Sequence, residues 1–310
     1  MAMKTLSITV DDENTGRVDL VVRGLCELPR SQVRGLFDHG CVSVNKTLCV
    51  NSGKSVTAGQ VVTVCFDPHQ RYKEKKRRWD DRTFTVVFED RDLIVVDKAA
   101  GTLTVPTDNE ERNTLLDRVT LYLSHSRRDR GACLVHRLDR AVSGLLVFGK
   151  HEAVAEALID QFKQQKPERV YTAIVAGVMD SDSGTLEAHL ATGKNLDRYV
   201  ARPSKDTERA VTHYQVQRKF ADTTLVEVTL ETGKRNQIRV QFADAGHPVL
   251  GDPRYKPETA SHPRWIRSRI ALHAKTLGFI HPKTGDAVSF ESPMPTAMSK
   301  FIAGSKMKSR

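Results

Sequence analysis

The 310-residue chain carries 48 lysines and arginines against 38 aspartates and glutamates, which gives a formal net charge of +10. Because basic surfaces gain free energy by releasing counterions from polyanions, this balance favours nucleic acid as the partner. No stretch approaches the ~20 consecutive apolar residues that a membrane span needs. The chain is therefore predicted to be a cytoplasmic protein without membrane contact.

Residues 1–66 predict a small α+β module. Two short amphipathic helices come first, and the second ends at Gly40, a typical C-terminal glycine. Short β-rich runs separated by turn residues follow. Arg30 and Arg34 are four residues apart and share a helix face, where they either bind phosphates or are simply solvated.

Residues 67–82 are predicted to be a basic linker. Six cations occur within residues 71–78, a density that cannot be buried and that marks either a flexible tether or a strip in contact with an RNA backbone. The flanking aromatic residues, Tyr72 and Trp79, either stack on bases or pack against a neighbouring domain.

Residues 83–298 predict one larger domain, and residues 299–310 a basic C-terminal tail. The β-rich runs do not alternate regularly with helices, so the pattern predicts an α+β fold, with a mainly antiparallel or mixed sheet flanked by helices. Strands are predicted at residues 84–88, 93–97, 169–176, 209–218, 223–230, 277–280 and 288–290, and helices at residues 114–123, 151–165 and 234–245.

The stretch at residues 136–148 places Asp139 between Arg137 and Arg140, ahead of an apolar run that predicts a buried strand. By itself this pattern is either a salt-bridged cap on a strand or a functional site. The sequence contains no GxGxxG, GxSxG or HExxH motif, and its histidines are not paired at metal-ligand spacing. No cofactor and no metal is therefore predicted, and ordinary side chains would carry any chemistry.

Four stretches, in this order, resemble the RluA-type RNA pseudouridine synthases: DKAAGTLTVP at 97–106, HRLDRAVSGL at 136–145, RVYTA at 169–173 and LETGKRNQIRVQFADAGHPVLGD at 230–252. A later ALHA at 271–274 also fits. The N-terminal residues resemble an S-four-like RNA-binding module, through RVD at 17–19, SQV at 31–33 and GCVSVN at 40–45.

The resemblance implies that the chain isomerises uridine in structured RNA to pseudouridine without a cofactor. It implies that Asp139 is the catalytic carboxylate, that Arg239 pairs with it, and that Tyr171 packs on a flipped-out target base. Alternatively, Tyr171 is a core residue of a strand, and Arg239 is a structural partner of Glu231 or Asp252. Further contacts are implied for substrate binding at Arg137, Arg140, Gln237 and Leu272, and for RNA binding by the module at Arg17, Arg30 and Arg34.

Two departures from the family pattern bear on activity. Ala141 and Val142 stand where the family has Asp-Thr, which predicts the loss of hydrogen bonds that stiffen the loop, and Asn236 stands where histidine is common. The expected substrate is large-subunit ribosomal RNA, with transfer RNA as the runner-up, and the expected state is a monomer. The rival hypotheses are a non-catalytic RNA-binding or ribosome-assembly factor and, more weakly, a glycoside-type hydrolase.

Overall fold

The computed structural model describes residues 3–49, 51–72, 81–107, 109–126, 131–164, 166–193, 197–266 and 268–307. It divides into two compact units, Met1–Trp79 and Asp80–Arg310, so the division falls within the predicted linker. Half of that linker, residues 73–80 with Trp79, lies outside the described residues. Tyr72 is buried in the core of the first unit, where its hydroxyl accepts a hydrogen bond from the N–H of Asp67. Tyr72 is therefore a packing residue.

The N-terminal unit has the predicted pair of helices and a small sheet. The sheet order is β1-β6-β3-β4 with every pair antiparallel, and β2 pairs with β5 separately. The first strand was not predicted from sequence. The elements are β1 Lys4–Thr9, β2 Gly16–Arg17, α1 Val18–Cys26, α2 Arg30–Asp38, β3 Val42–Val44, β4 Thr47–Leu48, β5 Ser55–Val56 and β6 Val61–Phe66.

The C-terminal unit contains the remaining described elements. They are β7 Phe84–Glu89, β8 Leu93–Lys98, α3 Leu115–Ser126, β9 Cys133–Leu134, β10 Ser143–Gly149, α4 Glu152–Lys163, β11 Glu168–Ala176, β12 Ser183–Thr192, β13 Arg198–Ala201, β14 Glu208–Lys219, β15 Thr223–Leu230, α5 Gln237–Asp244, α6 Pro257–Ala260, β16 Leu272–Ile280, β17 Ala287–Glu291 and α7 Thr296–Ala303.

Eleven strands of this unit form one sheet in the order β13-β12-β14-β15-β11-β16-β10-β8-β7, with β17 added beside β16 and β9 beside β10. Only the contact between β10 and β16 is parallel among the described pairs; the others are antiparallel. Helix α4 packs on this sheet, with Val154 and Leu158 against Leu145 and Val147 of β10. The predicted α+β fold with a mainly antiparallel, mixed sheet is thus confirmed.

Gly144 permits the parallel contact at the centre of the sheet. Its φ is +121°, and a Cβ at this position would lie 2.3 Å from the carbonyl oxygen of Ala274 in β16. Any other residue would force the two strands apart, since real Cβ atoms do not approach so closely. The close approach brings the loop that precedes β10, which carries Asp139, beside the start of β16.

The predicted basic tail at residues 299–310 begins inside α7 and does not form a separate segment. Phe301 is buried, its ring packs 5.5 Å from that of Trp265, and Phe220 forms a β-bridge with Met307. The apolar face of α7 was missed in the sequence because basic residues surround it. Within the described part of the chain, no helix combines the length and apolar character needed to cross a membrane.

Candidate active site

A cavity of about 530 Å³ opens between the Asp139 loop (residues 135–142), β11, α4 and the turn that leads into α5. Its volume lies within the range of small-molecule sites, roughly 300–1,000 Å³. Asp139, Tyr171 and Arg239 all line it, although 100 residues separate the first from the last. The fold therefore brings the three residues predicted to be catalytic into one cavity.

Arg239 forms ion pairs with two carboxylates, those of Asp252 and Asp139. Its Nε and Nη2 donate to both oxygens of Asp252 at 2.7 and 2.9 Å, and its Nη1 donates to Oδ2 of Asp139 at 2.7 Å. The Asp252 side chain is fully buried, whereas that of Asp139 is 28% exposed. Although burial opposes the charge, Asp252 and Asp139 raise the pKa of the Arg239 guanidinium above its usual value. Arg239 is thus a fixed cation that still leaves Asp139 open to the cavity.

Asn236 and Tyr255 complete the support of Arg239. Asn236 has a φ of 58°, a left-handed conformation that asparagine tolerates better than most residues. From there its Oδ1 accepts a 3.3 Å hydrogen bond from Nη1 of Arg239, and its Nδ2 donates to the hydroxyl of Tyr255 at 2.9 Å. The guanidinium carbon also lies 5.1 Å from the centre of the Tyr255 ring. Asn236, which departs from the family pattern, therefore takes part in orienting Arg239.

The Asp139 loop is clamped from behind by residues 98–104. The hydroxyl of Thr104 donates to the carbonyl of Leu138 at 2.7 Å, and the N–H of Leu138 donates back at 3.2 Å. The N–H of Gly101 and the ammonium of Lys98 donate to the carbonyl of Arg140 at 2.7 and 3.3 Å. These bonds brace both sides of Asp139, so the loop is stiffened although Asp-Thr is replaced by Ala-Val.

Lys98 is buried beneath the loop, and its Nζ also donates to the carbonyls of Ala99 and Thr102. Burial lowers the pKa of Lys98 to about 7, although the nearby charge of Asp139 opposes the shift. With three carbonyl acceptors it is fully occupied by the protein. Its role in the site is to tie the loop at residues 99–102 to the Asp139 loop.

Tyr171 lies on β11 and Leu272 on the neighbouring β16, and both line the cavity. The Tyr171 hydroxyl makes no hydrogen bond to any described residue. Burial raises its pKa, which the charge of Arg169 opposes and that of Asp139 reinforces, so the phenol is neutral at physiological pH. It presents an aromatic ring for stacking and an O–H that is available to a ligand.

The other residues predicted to bind substrate differ in their placement. Arg137 lines the cavity and is exposed, whereas Arg140 does not line it and its Nε donates to the carbonyl of Gly101. Gln237 borders the cavity, but its amide is used within the protein. It accepts from Thr232 and from the N–H of Lys234 and donates to Val211 and Thr212. Gln237 therefore shapes the turn before α5, and Arg140 belongs to the loop clamp.

The cavity wall is strongly basic. Asp139 is the single carboxylate among its lining residues. Cations of this density attract a polyanion and bind its phosphates. The lining cations are Arg137, Lys163, Arg169, Lys234, Arg235 and Arg239.

The predicted RNA-binding residues of the N-terminal unit have unlike environments. Arg17 forms a bidentate ion pair with Asp19, at 3.0 and 2.8 Å, on the first turn of α1. Arg30 is exposed at the start of α2, and Arg34 is half-buried one turn further along. Only Arg30 therefore has a fully exposed side chain without a hydrogen bond to a described residue.

Sequence reasoning missed two groups that position the site. It considered Asp252 only as an alternative partner of Arg239, and it did not assign roles to Lys98 and Thr104. The sequence marks Lys98 only as part of a matched motif. Among the described residues, no three His, Cys, Asp or Glu side chains are arranged to hold a metal ion.

Comparison with known proteins gives consistent matches. A family model described as RNA pseudouridylate synthase matches residues 92–244. An uncharacterized RNA pseudouridine synthase of Bacillus subtilis is 33% identical over 305 residues, covering 97% of this chain and 98% of that protein. The ribosomal large subunit pseudouridine synthase D of Zymomonas mobilis is 33% identical over 309 residues, covering 96% of each. The solved structure of human RNA Pseudouridylate Synthase Domain Containing 4 has the same fold, with a TM-score of 0.59 at 20% identity, and covers 70% of this chain and 91% of that one.

Proposed function

The chain belongs to the RNA pseudouridine synthase family, and we propose that it converts uridines of large-subunit ribosomal RNA to pseudouridine in the cavity around Asp139. Several similar proteins are named ribosomal large subunit pseudouridine synthase D, which supports this choice of RNA. The observation that carries the proposal is the contact of Asp139 with a buried, doubly anchored Arg239 inside a cavity of otherwise basic walls.

Asp139 acts on the sugar–base junction as nucleophile or base. The reaction detaches uracil from the sugar at a ring nitrogen, turns it, and rejoins it through a ring carbon. That carbon loses its hydrogen to water and the released nitrogen gains a proton, so nothing is added or lost overall. A carboxylate fixed beside the junction supplies the required proximity. Arg239 is the counter-charge of this carboxylate, with its Nη1 at 2.7 Å from Oδ2 of Asp139.

Tyr171 and Leu272 form the surface on which the extruded base rests. Stacking of a base on an aromatic side chain is worth about 1–3 kcal/mol, which is comparable to the few kcal/mol needed to extrude a base. Tyr171 thus offsets much of that cost, and its free hydroxyl is a candidate for proton transfer. Arg137, exposed at the cavity, is placed to bind the RNA backbone or to occupy the space that the base leaves.

The N-terminal unit and the linker supply affinity for structured RNA, with Arg30 as the leading contact, and Gln237 and Arg140 act by positioning the loops beside the substrate. The cytoplasmic location and the monomeric state stay predictions. A non-catalytic RNA-binding factor is the rival, and the braced Asp139 loop argues against it because the catalytic geometry is maintained.

The test is site-resolved mapping of pseudouridine in total RNA from cells with the protein, without it, and with Asp139→Asn. We expect one or more large-subunit ribosomal positions to be modified only with the wild-type chain, and Asp139→Asn to bind RNA normally while forming no product. Asp197→Asn, which removes an exposed carboxylate elsewhere, is the matched control. Modification confined to transfer RNA would refute the ribosomal assignment, and no modification of any RNA would support the non-catalytic rival.

A further inference from the structure

Three arginines among the described residues have a buried Nε that donates no hydrogen bond: Arg169, Arg198 and Arg269. Arg198 is neutralised by Glu208 through its Nη2, and Arg269 donates from its Nη2 to the hydroxyl of Ser143 at 2.7 Å. Arg169 has only one long hydrogen bond, 3.4 Å from Nη2 to the carbonyl of Glu231, and no described carboxylate within ion-pair distance. It is also the one of the three that lines the cavity.

Arg169 is 7% exposed, which makes its lack of a partner costly. A buried charge ordinarily has both a counter-charge and saturated hydrogen bonds, because desolvation costs several kcal/mol per ion. Burial lowers the pKa of the Arg169 guanidinium, but arginine stays protonated at any physiological pH. The protein therefore maintains an uncompensated cation at the wall of its cavity.

Two neighbours fix the position of this cation. The Phe162 ring lies 5.7 Å from the guanidinium carbon and stacks at 4.5 Å on His136 of the Asp139 loop. On another side, a Cβ added to Gly233 would lie 2.2 Å from Nη1 of Arg169. The guanidinium thus fills the space that a side chain at residue 233 would take, and no described carboxylate lies within ion-pair distance of it there.

We propose that Arg169 binds a backbone phosphodiester of the RNA next to the target uridine. An uncompensated cation needs an anion, and the phosphodiester is the anionic group of RNA, whereas the carbonyls of uracil are neutral. Arg169 and Tyr171 are alternate residues of β11 and face the same cavity, about 7 Å apart along the strand. A base on Tyr171 therefore has its own nucleotide's backbone within reach of Arg169. This inference rests on the proposed function in that RNA is the ligand.

The experiment measures binding of the whole chain to a short single-stranded oligouridylate over a range of salt concentrations. Arg169→Gln should weaken binding about 10- to 100-fold, the range of a lost charge-assisted hydrogen bond. The slope of log affinity against log salt should fall by about 0.7, the value for one phosphate of a single strand. Gly233→Ala keeps the charge of Arg169 but displaces its guanidinium, and it should also weaken binding. Wild-type binding by either variant would overturn the proposal.

A second oligouridylate with neutral methylphosphonate linkages separates the phosphate from the base. Arg169→Gln should bind this oligomer as the wild type does, because no anion remains for Arg169 to contact. An equal loss on both oligomers would mean that the arginine contacts the base, and the proposal would be wrong. Arg198→Gln is the matched control, since Arg198 is also 7% exposed but does not line the cavity, and it should keep the wild-type salt slope.

Urea unfolding excludes a purely structural role. Removing an uncompensated buried charge should leave the stability of Arg169→Gln equal to or above that of the wild type. Lower stability together with an unchanged salt slope would make Arg169 a structural residue and overturn the proposal. None of these measurements uses turnover. A chain that bound as expected but formed no pseudouridine would refute the catalytic roles and leave the phosphate site standing.

Discussion

Arg239 and Arg169 both line one cavity, and both are buried and cationic. They differ in the hydrogen bonds and counter-ions that the protein provides for them. Arg239 donates two hydrogen bonds to buried Asp252 and one each to Asp139 and Asn236. Arg169 has a single long hydrogen bond to a carbonyl. A cation saturated by the protein serves to position another group, whereas a cation left without a counter-ion is available to a ligand. This difference is the basis for our proposals that Arg239 positions the catalytic carboxylate and that Arg169 binds substrate.

The largest expected effect comes from removing the anchor of Arg239. Asp252→Asn keeps the shape of the side chain but leaves Arg239 without its buried counter-charge. Breaking a buried pair in this way costs about 3–5 kcal/mol of the free energy of unfolding. Urea unfolding measures this loss. Asp197→Asn, in an exposed pair with Arg254, should cost under about 1 kcal/mol. Equal effects of the two substitutions would mean that Arg239 is not held as its geometry indicates.

The next effect concerns the geometry of Arg239. Arg239→Lys keeps the charge but cannot make the two-pronged contact with Asp252 while reaching Asp139. Misplacement of a catalytic group by about 1 Å costs roughly 100-fold, so we expect a fall of this size in kcat with little change in KM. Release of tritium from RNA labelled at the uracil carbon that forms the new bond measures the rate. Arg209→Lys, in an exposed cluster with Glu187 and Glu231, is the control. Wild-type turnover by Arg239→Lys would show that charge suffices.

The sequence predicted those parts of the fold and the site that depend on neighbours along the chain. The alternation of apolar residues in β15 and the apolar run of β10 were enough to predict both strands. By contrast, β12 and β13 were missed, although Leu186, Ala188 and Leu190 of β12 alternate with polar residues. Strand β13 has only four residues and is held by its pairing with β12. The match to family motifs, and not spacing, brought Asp139, Tyr171 and Arg239 together.

What escaped prediction depends on contacts between distant residues. Asp252 was predicted only as one of two alternative partners of Arg239, because nothing in the spacing shows that the turn after α5 returns this carboxylate to the guanidinium. The doubt over Ala141 and Val142 arose in the same way, since the loss of hydrogen bonds was visible in sequence and the compensating bonds from Thr104 and Lys98 were not. That no described carboxylate pairs with Arg169 is likewise a property of the folded chain, because sequence shows only that an arginine stands two residues before Tyr171.

A smaller effect concerns His136, which is buried beside the cation of Arg169. Burial and the nearby charge of Arg169 lower the pKa of His136 to about 3, from an ordinary value near 6.5. Between pH 6.5 and pH 3, His136 is therefore protonated in the unfolded chain and neutral in the folded one. The stability due to neutral His136 is complete above pH 6.5 and is lost as the pH falls toward 3. His136 contributes at most about 1.4 kcal/mol per pH unit to the change of the free energy of unfolding with pH.

Urea unfolding between pH 7 and pH 4 measures this share. In His136→Gln the dependence of stability on pH should be shallower than in the wild type, because the titrating group is gone. The glutamine keeps an acceptor for the N–H of Val147, which the imidazole Nε2 accepts at 3.3 Å. Parallel pH curves for the two proteins would show that burial beside Arg169 does not lower the pKa of His136.

The smallest expected effect tests the same difference between a paired and an unpaired arginine in the N-terminal unit. Arg17 is paired with Asp19 at two hydrogen-bond distances, whereas Arg30 is exposed without a hydrogen bond to a described residue. We expect a guanidinium that is hydrogen-bonded within the protein to position other groups, and one that is not to bind RNA. Arg30→Gln should therefore lower the slope of log affinity for duplex RNA against log salt by somewhat less than 1, the contribution of about one phosphate. Arg17→Gln should change that slope less, because its charge is already engaged. Filter binding of the full chain over a range of salt concentrations measures both. A larger change from Arg17→Gln would show that the pair with Asp19 opens to RNA, and that partnering within the protein does not by itself decide which cations bind.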